Sequence, residues 1–310
     1  MKIPRINNIT QEEFIQEYIV GNKPVIVTDA MENWDMSKFT PEYFKEAFGE
    51  EKVQVYDDLF NLQNIQSLKE YIDANFFRNE EDGLSDQYMR WYTKLKEVEY
   101  YWSDQVFDAL KNAWSHPYFI PNTSLVIPSN KEAEERVITD FHYPYKGLFI
   151  SGKGSRTRLH KDPFTSNAVL CQFYGEKKIY LFAPSKEASV MKDGAFVDVK
   201  NPDHDKFPDY KNITHDYEDT LSPGEIVFFP SGWFHDVTCE TDSISITWNF
   251  VHETQLDIVC KHIAQNPNDD QLEIAKFFLK GEIKDNANAR DIILFLKKKF
   301  KKAKKLKAQV

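Results

Sequence analysis

Between about residues 146 and 252 the chain is a succession of short runs rich in Val, Ile, Phe and Tyr. They cover 148–151, 156–161, 168–174, 177–183, 225–230, 235–240 and 244–251. Each run is the length of a strand and too short for a helix, and turn residues separate them. Strands that follow one another with no helix between them cannot build a parallel α/β sheet. They imply an antiparallel barrel or double sheet with helices added around it, a mainly β fold.

The flanks are mixed. Thr10-Gln-Glu-Glu13 reads as a capping box opening a helix through about Val20. A strand is expected at 25–28. Thr40-Pro41 opens a second helix at 41–48, and 52–56 reads as a strand. Residues 67–75 read as helix, 80–83 as a solvated loop, and 88–93 as a strand. Gly175-Glu176 fits a tight hairpin between two of the central runs. Residues 201–220, polar and with prolines nearby, read as a surface loop.

From Thr254 three helices are expected, at 256–264, 270–279 and from 287 almost to the end. Ile293, Leu296, Phe300, Ala303 and Val310 form a stripe that could pack on the body or on a second copy. The expected division is 1–253, with its barrel core at 146–252, and a helical region at 254–310. Residues 297–307 carry eight lysines, read as a solvated face or frayed tail. The net charge is nonetheless −10, so the remainder is more acidic still and is a poor partner for a phosphate backbone. Three cysteines without metal spacing suit a reducing compartment. The start has no apolar signal segment and no run approaches membrane-spanning length, so a cytoplasmic protein is expected.

The chemistry concentrates at His160-Lys-Asp162. Alternation along a strand places both side chains on one face. His235 opens another run after Pro230-Ser-Gly-Trp-Phe. Two histidines and a carboxylate are the donor set that holds a non-haem Fe(II) on one side and leaves positions open. Taken alone, His-x-Asp describes a surface pair equally well. Lys177 shares parity with Ile179 and Leu181, which turns it toward the interior, although a hairpin lysine in solvent has the same spacing. Ser245, Thr247 and Asn249 share one face of their run, opposite Ile244, Ile246, Trp248 and Phe250. That polar face looks either into water or into a polar barrel lumen. No GxSxG, Walker loop or HExxH is present.

Four blocks fall in order: Arg158-Leu-His160-Lys-Asp162-Pro, Gly175-Glu-Lys177-Lys-Ile-Tyr-Leu-Phe-Ala-Pro184, Pro223-Gly-Glu-Ile-Val-Phe-Phe-Pro230-Ser-Gly-Trp-Phe-His235, and Thr247-Trp-Asn249-Phe. Together they resemble the JmjC oxygenases, most closely the cupin-like, hydroxylase-type branch that holds the HIF asparaginyl hydroxylase and JmjC lysyl hydroxylases. Lys23-Pro-Val-Ile-Val, Trp34 and Thr40-Pro-Glu-Tyr-Phe are similar to that branch's entry region, and the resemblance spans roughly 10–252. It implies a double-stranded β-helix, the cupin or jelly-roll barrel, with Fe(II), 2-oxoglutarate as co-substrate and O2. By motif position it implies that His160, Asp162 and His235 hold the iron and that Lys177 pairs with the distal carboxylate of 2-oxoglutarate. Thr157 matches a threonine that helps bind the same carboxylate. Parity places residues 157 and 160 on opposite faces, so that role requires a bulge. Asn249 and Thr247 match polar positions near the co-substrate, and Tyr92 resembles a tyrosine that contacts it. One departure is Ala168, with Asn167 just before it, where the family carries a polar group.

The reading implied is a 2-oxoglutarate-dependent oxygenase hydroxylating a protein or peptide side chain. N-demethylation, an RNA base or small molecule as substrate, and a non-catalytic metal-binding cupin scaffold stand as alternatives. Homodimerisation through the C-terminal helices is expected. Loops 121–147 and 201–220 carry no decodable substrate signal.

Overall fold

The structure is a computed structural model and describes residues 1–79, 81–92, 103–127, 146–269, 272–279 and 282–307. The first strands are β1 (Arg5–Ile6), β2 (Val25–Val27), β3 (Lys52–Tyr56), β4 (Leu62–Ser67), β5 (Tyr88–Tyr92) and β6 (Leu125–Ile127). Then come β7 (Gly147–Ser151), β8 (Arg156–His160), β9 (Asn167–Tyr174), β10 (Lys177–Phe182), β11 (Met191–Lys192) and β12 (Ala195–Phe196). The last are β13 (Tyr217–Leu221), β14 (Ile226–Phe229), β15 (Phe234–Cys239) and β16 (Ser243–His252). One sheet runs β1-β2-β14-β9-β16-β7-β5-β3-β4, with β6 also on β16, and the second runs β13-β10-β15-β8. The two face each other as a jelly roll, the architecture implied by the sequence.

Alternation sorts the side chains into layers. Ile244, Ile246, Trp248 and Phe250 of β16, Val169 and Cys171 of β9, and Met89 and Trp91 of β5 join an outer core. That core is completed by the N-terminal segments through Phe14, Phe39 and Phe44. The opposite faces of these strands look toward the second sheet. There Ala168, Leu170, Ile179, Leu181, Phe229 and Val237 pack as the core between the sheets. The polar face of β16 therefore lines the barrel interior.

The expected N-terminal elements form. Thr10 caps Gln11–Phe14 in a reciprocal box with Glu13, and the helix continues in wider π turns over Ile15–Val20. Thr40 caps Pro41–Phe48, and Ser67 and Glu70 make a second box at Leu68–Asn75. After the barrel come helices Leu256–Gln265, Leu272–Phe278 and Ala289–Lys307. Leu296 and Phe300 of the expected stripe are buried with Val259, Ile263, Val251 and Phe164, but the third buried position is Ile292, with Ile293 only partly buried. The face is thus shifted by one residue there, and it packs on the body of its own chain. The side chains of Ala303 and Val310 lie outside the described residues, as do Thr93, Glu80 and most of loop 121–147. Among the described residues no helix is long and apolar enough to cross a membrane.

Two expectations are corrected. Gly175-Glu176 is not a hairpin: β9 pairs with β14 and β16, whereas β10 pairs with β13 and β15. The dipeptide is a corner where the chain changes sheets. Gly175 has φ +69°, and a Cβ there would lie 1.8 Å from the Asp242 carbonyl oxygen, so neither the conformation nor the space admits a side chain. Residues 201–220 are not loop throughout, because their end forms β13, paired with β10. Asp219, an inward position of that strand, disguised it. The buried carboxylate is satisfied by Lys2 at 3.0 Å and Arg5 at 2.8 Å.

Candidate metal centre

β8 and β15 are antiparallel neighbours, and His160 and His235 are direct register partners. Their rings stand 4.1 Å apart between centroids. The hydrogen-bonded strand ends at His160, but Asp162 keeps an extended backbone (φ −67°, ψ 149°), so alternation still brings it to the side of His160. Asp162 Oδ2 lies 3.7 Å from His235 Nε2, and one donor atom from each of the three residues falls within 4.8 Å of the others. This group could hold a metal ion.

Both imidazoles are set for that task. His160 Nδ1 lies 2.9 Å from the Arg158 carbonyl, and His235 Nδ1 lies 3.3 Å from the Trp233 carbonyl. A carbonyl can only accept, so each Nδ1 carries the proton and Nε2 keeps its lone pair for coordination. His235 lies flat on Phe229, with centroids 4.5 Å apart and planes 7° apart. Burial, reinforced by His160, pushes its pKa down to about 4, so the ring is neutral at physiological pH.

Behind the pair, Arg156 of β8 grips Asp236 of β15 in a buried bidentate contact, Nε to Oδ1 at 2.9 Å and Nη2 to Oδ2 at 2.5 Å. Arg156 also reaches Asp198 at 2.8 Å. The strands that carry the two histidines are thereby tied by charge as well as by the ladder.

Thr157 reaches the cavity through a bulge. His160 pairs with His235 but Thr157 pairs with Val237, three residues on β8 against two on β15. The extra residue reverses the parity, and Thr157 lines the same cavity as His160. That cavity, of about 460 Å³, is also lined by Asp162, His235, Lys177, Tyr92, Thr247 and Asn249.

Lys177 is 3% exposed, and its Nζ donates to Ser245 Oγ at 2.8 Å. Among the described residues no carboxylate pairs with it, and burial pulls its pKa below the usual lysine value. A buried ammonium held by one neutral hydroxyl could receive an anion. Tyr92 enters by a different device. In the sheet it stands beside Gly147, which stands beside Thr247. A Cβ on Gly147 would lie 2.6 Å from Tyr92 Cε1, so the ring lies across the space that the glycine leaves. Thr247 Oγ1 donates to the Val169 carbonyl at 2.8 Å, and Asn249 Nδ2 donates to Ser166 Oγ at 3.2 Å.

The departure at 167–168 is plain in three dimensions. Ala168 faces the cavity. Asn167 turns away, giving its Nδ2 to Gln255 Oε1 at 2.7 Å and accepting the Ser231 backbone N–H at 3.1 Å. Arg90 and Phe60 also line the cavity and were not anticipated. The signal for Arg90 was its parity with Tyr88 and Tyr92 on β5.

The sequence matches the cupin-like domain family over residues 10–257. It is 27% identical over 280 residues to the arginine-specific demethylase JMJ20 of Arabidopsis thaliana, covering 83% of this chain and 59% of that protein. It is 26% identical over 285 residues to the 2-oxoglutarate and iron-dependent oxygenase JMJD4 of Gallus gallus, covering 83% and 61%. It is 23% identical over 265 residues to the bifunctional arginine demethylase and lysyl-hydroxylase psr-1 of Caenorhabditis elegans, covering 82% and 62%. The chain thus spans about three-fifths of the length of these curated relatives. With four-fifths of the chain matched, and a jelly roll that carries its donor triad where the motifs require, the chain belongs to the cupin-like domain family.

Proposed function

We propose that the chain is an Fe(II)- and 2-oxoglutarate-dependent oxygenase that hydroxylates a side chain of a protein or peptide. The observation that carries this reading is one cavity holding both a two-histidine, one-carboxylate triad and a buried lysine with no carboxylate partner among the described residues. A metal site alone fits a scaffold. A metal site facing a buried cation fits a chelating dianion.

In this reading His160, Asp162 and His235 hold the iron, with the two Nδ1–H bonds to backbone carbonyls fixing ring orientation. Lys177 takes the distal carboxylate of 2-oxoglutarate, with Thr157 and Tyr92 beside it, while Thr247 and Asn249 line the adjoining wall. When bound, the iron and 2-oxoglutarate supply oxygen activation, with 2-oxoglutarate decarboxylated to succinate. The protein's own share is to orient the co-substrate, to shield the metal behind Phe229, Phe149 and Phe60, and to present one C–H bond. The names of similar proteins support a protein substrate.

The three cysteines are free and buried, which suits a reducing compartment, and we place the protein in the cytoplasm. We also propose self-association through the C-terminal region, where Ile258 and Leu294 remain exposed after the main stripe is buried. The test of activity is succinate release together with a +16 Da product from a peptide pool, dependent on both Fe(II) and 2-oxoglutarate. A purely uncoupled or absent reaction across protein, RNA and small-molecule pools contradicts it.

A further inference from the structure

The cavity contains a second cation that the proposed co-substrate does not use. Arg90 projects from β5 into a nest of rings. Its guanidinium carbon stands 4.5 Å from the centroid of Tyr56 and 4.6 Å from that of Phe60, with Tyr88 and Tyr92 at 5.7 and 5.8 Å. The guanidinium donates a hydrogen bond to the Tyr92 hydroxyl, but the ring faces hold only its plane and leave the rest of its N–H fork, suited to a carboxylate, to be satisfied. Arg90 Nε is buried without a hydrogen-bond partner, and so is the Tyr88 hydroxyl beside it. Arg5, Arg156 and Arg158 each meet an acidic side chain. Among the described residues none meets Arg90.

Its position relates it to the chemistry. Phe60, at the rim and 36% exposed, touches Arg90 on one side, and its ring stands 5.3 Å from that of His160. Phe149 is the register partner of both Arg90 and Ser245, and Lys177 lies on that ring at 5.8 Å. The two cations therefore flank one aromatic side chain. Resting on the function proposed above, the charge balance follows. A dipositive metal with Asp162 and a dianionic co-substrate with Lys177 are together neutral. Lys161, the other lysine of the wall, is paired with Glu187 at 2.5 Å. The positive charge of Arg90 is left over, one ring from the metal.

We propose that Arg90 and the Tyr88 hydroxyl form an anion subsite for the substrate, and that the substrate presents an aspartate or glutamate carboxylate at or beside the oxidised residue. A second contact to 2-oxoglutarate is disfavoured because Lys177 and the metal already engage both ends of that molecule. Recognition is by charge-assisted hydrogen bonds in a desolvated corner, so the matching amide should bind about tenfold more weakly.

The test uses the full chain loaded with Mn(II) and 2-oxoglutarate, under argon. N-acetyl-aspartate amide and N-acetyl-glutamate amide are titrated, with N-acetyl-asparagine amide as the neutral control. The readout is Mn(II)-induced relaxation of the probe's methylene protons. At least one acid should show saturable relaxation and bind about tenfold more tightly than the amide. Arg90→Met should reduce that acid to the level of the amide while 2-oxoglutarate affinity holds. Should Arg90→Met fail to fold by its thermal melt, Arg90→Lys and Tyr88→Phe decide, each weakening the acid and not the co-substrate. Equal binding of acid and amide, no binding of either, or loss of 2-oxoglutarate binding in the Arg90 variants overturns the subsite. Failure of the wild type to take up Mn(II) or 2-oxoglutarate, seen separately by the manganese EPR signal, overturns the function reading itself and the subsite with it.

Discussion

At the scale of residues, Lys177 is the most exposed to test. Burial disfavours its charged form, so the ligand-free folded protein binds fewer protons than the unfolded chain in the window between the lowered pKa and the ordinary 10.5. Stability of the ligand-free protein therefore rises with pH across that window. Binding of 2-oxoglutarate has the opposite sign, because the dianion needs the ammonium: its affinity should fall as pH rises through the lowered pKa. Isothermal titration from about pH 7 to about pH 10 should show this fall in the wild type and not in Lys177→Met. The variant should bind about tenfold or more weakly throughout, with Mn(II) affinity unchanged. Gly147→Ala is a gentler probe. Its methyl group must displace the Tyr92 ring, at a cost of about 1–3 kcal/mol and with weaker co-substrate binding. A melt and a 2-oxoglutarate titration check both effects. The triad and Lys177 were legible because alternation and motif order point the same way. Thr157 was legible only through the resemblance, against its parity, because the bulge that turns it inward belongs to the pairing of β8 with β15. Arg90 went unseen because its surroundings come from separate segments, β3, the turn at Phe60, and β5.

At the scale of elements, the barrel strands were legible from composition and length, but not their partners. Lys177 follows Tyr174 by a spacing that fits a hairpin, and only the pairing of each strand with others reveals a corner. Gly175→Ala should therefore cost about 2 kcal/mol or more and lower the melting temperature by several degrees. β4 was missed because an edge strand reading Leu-Gln-Asn-Ile-Gln-Ser is largely exposed and shows no clean alternation. The tie between β8 and β15 carries its own prediction. Arg156→Met leaves the Asp236 carboxylate buried without its bidentate partner, which should destabilise by about 3–5 kcal/mol, read in urea unfolding. Since these strands bear His160 and His235, metal affinity should fall with it.

At the scale of the whole molecule, the C-terminal helices are joined to the candidate metal centre. Phe164, two residues after Asp162, is buried in the cluster that contains Ile263 and Leu296, and it and Thr165 both take left-handed backbone at φ 55° and 54°. Leu296→Ala should cost about 2–5 kcal/mol and loosen the segment that carries the carboxylate ligand. Leu294, by contrast, is exposed, and Leu294→Glu should convert the proposed dimer to a 36.4 kDa species by light scattering. A wild type already of that mass refutes the dimer. The central claim is that this cavity assembles ferrous iron and 2-oxoglutarate together. Its most direct test is anaerobic titration of the protein with Fe(II) and 2-oxoglutarate, followed by visible absorption. The account predicts a weak charge-transfer band that needs both components, saturates at one equivalent of iron per chain, and is absent in Asp162→Ala. No band in the wild type, or an undiminished band in that variant, contradicts it.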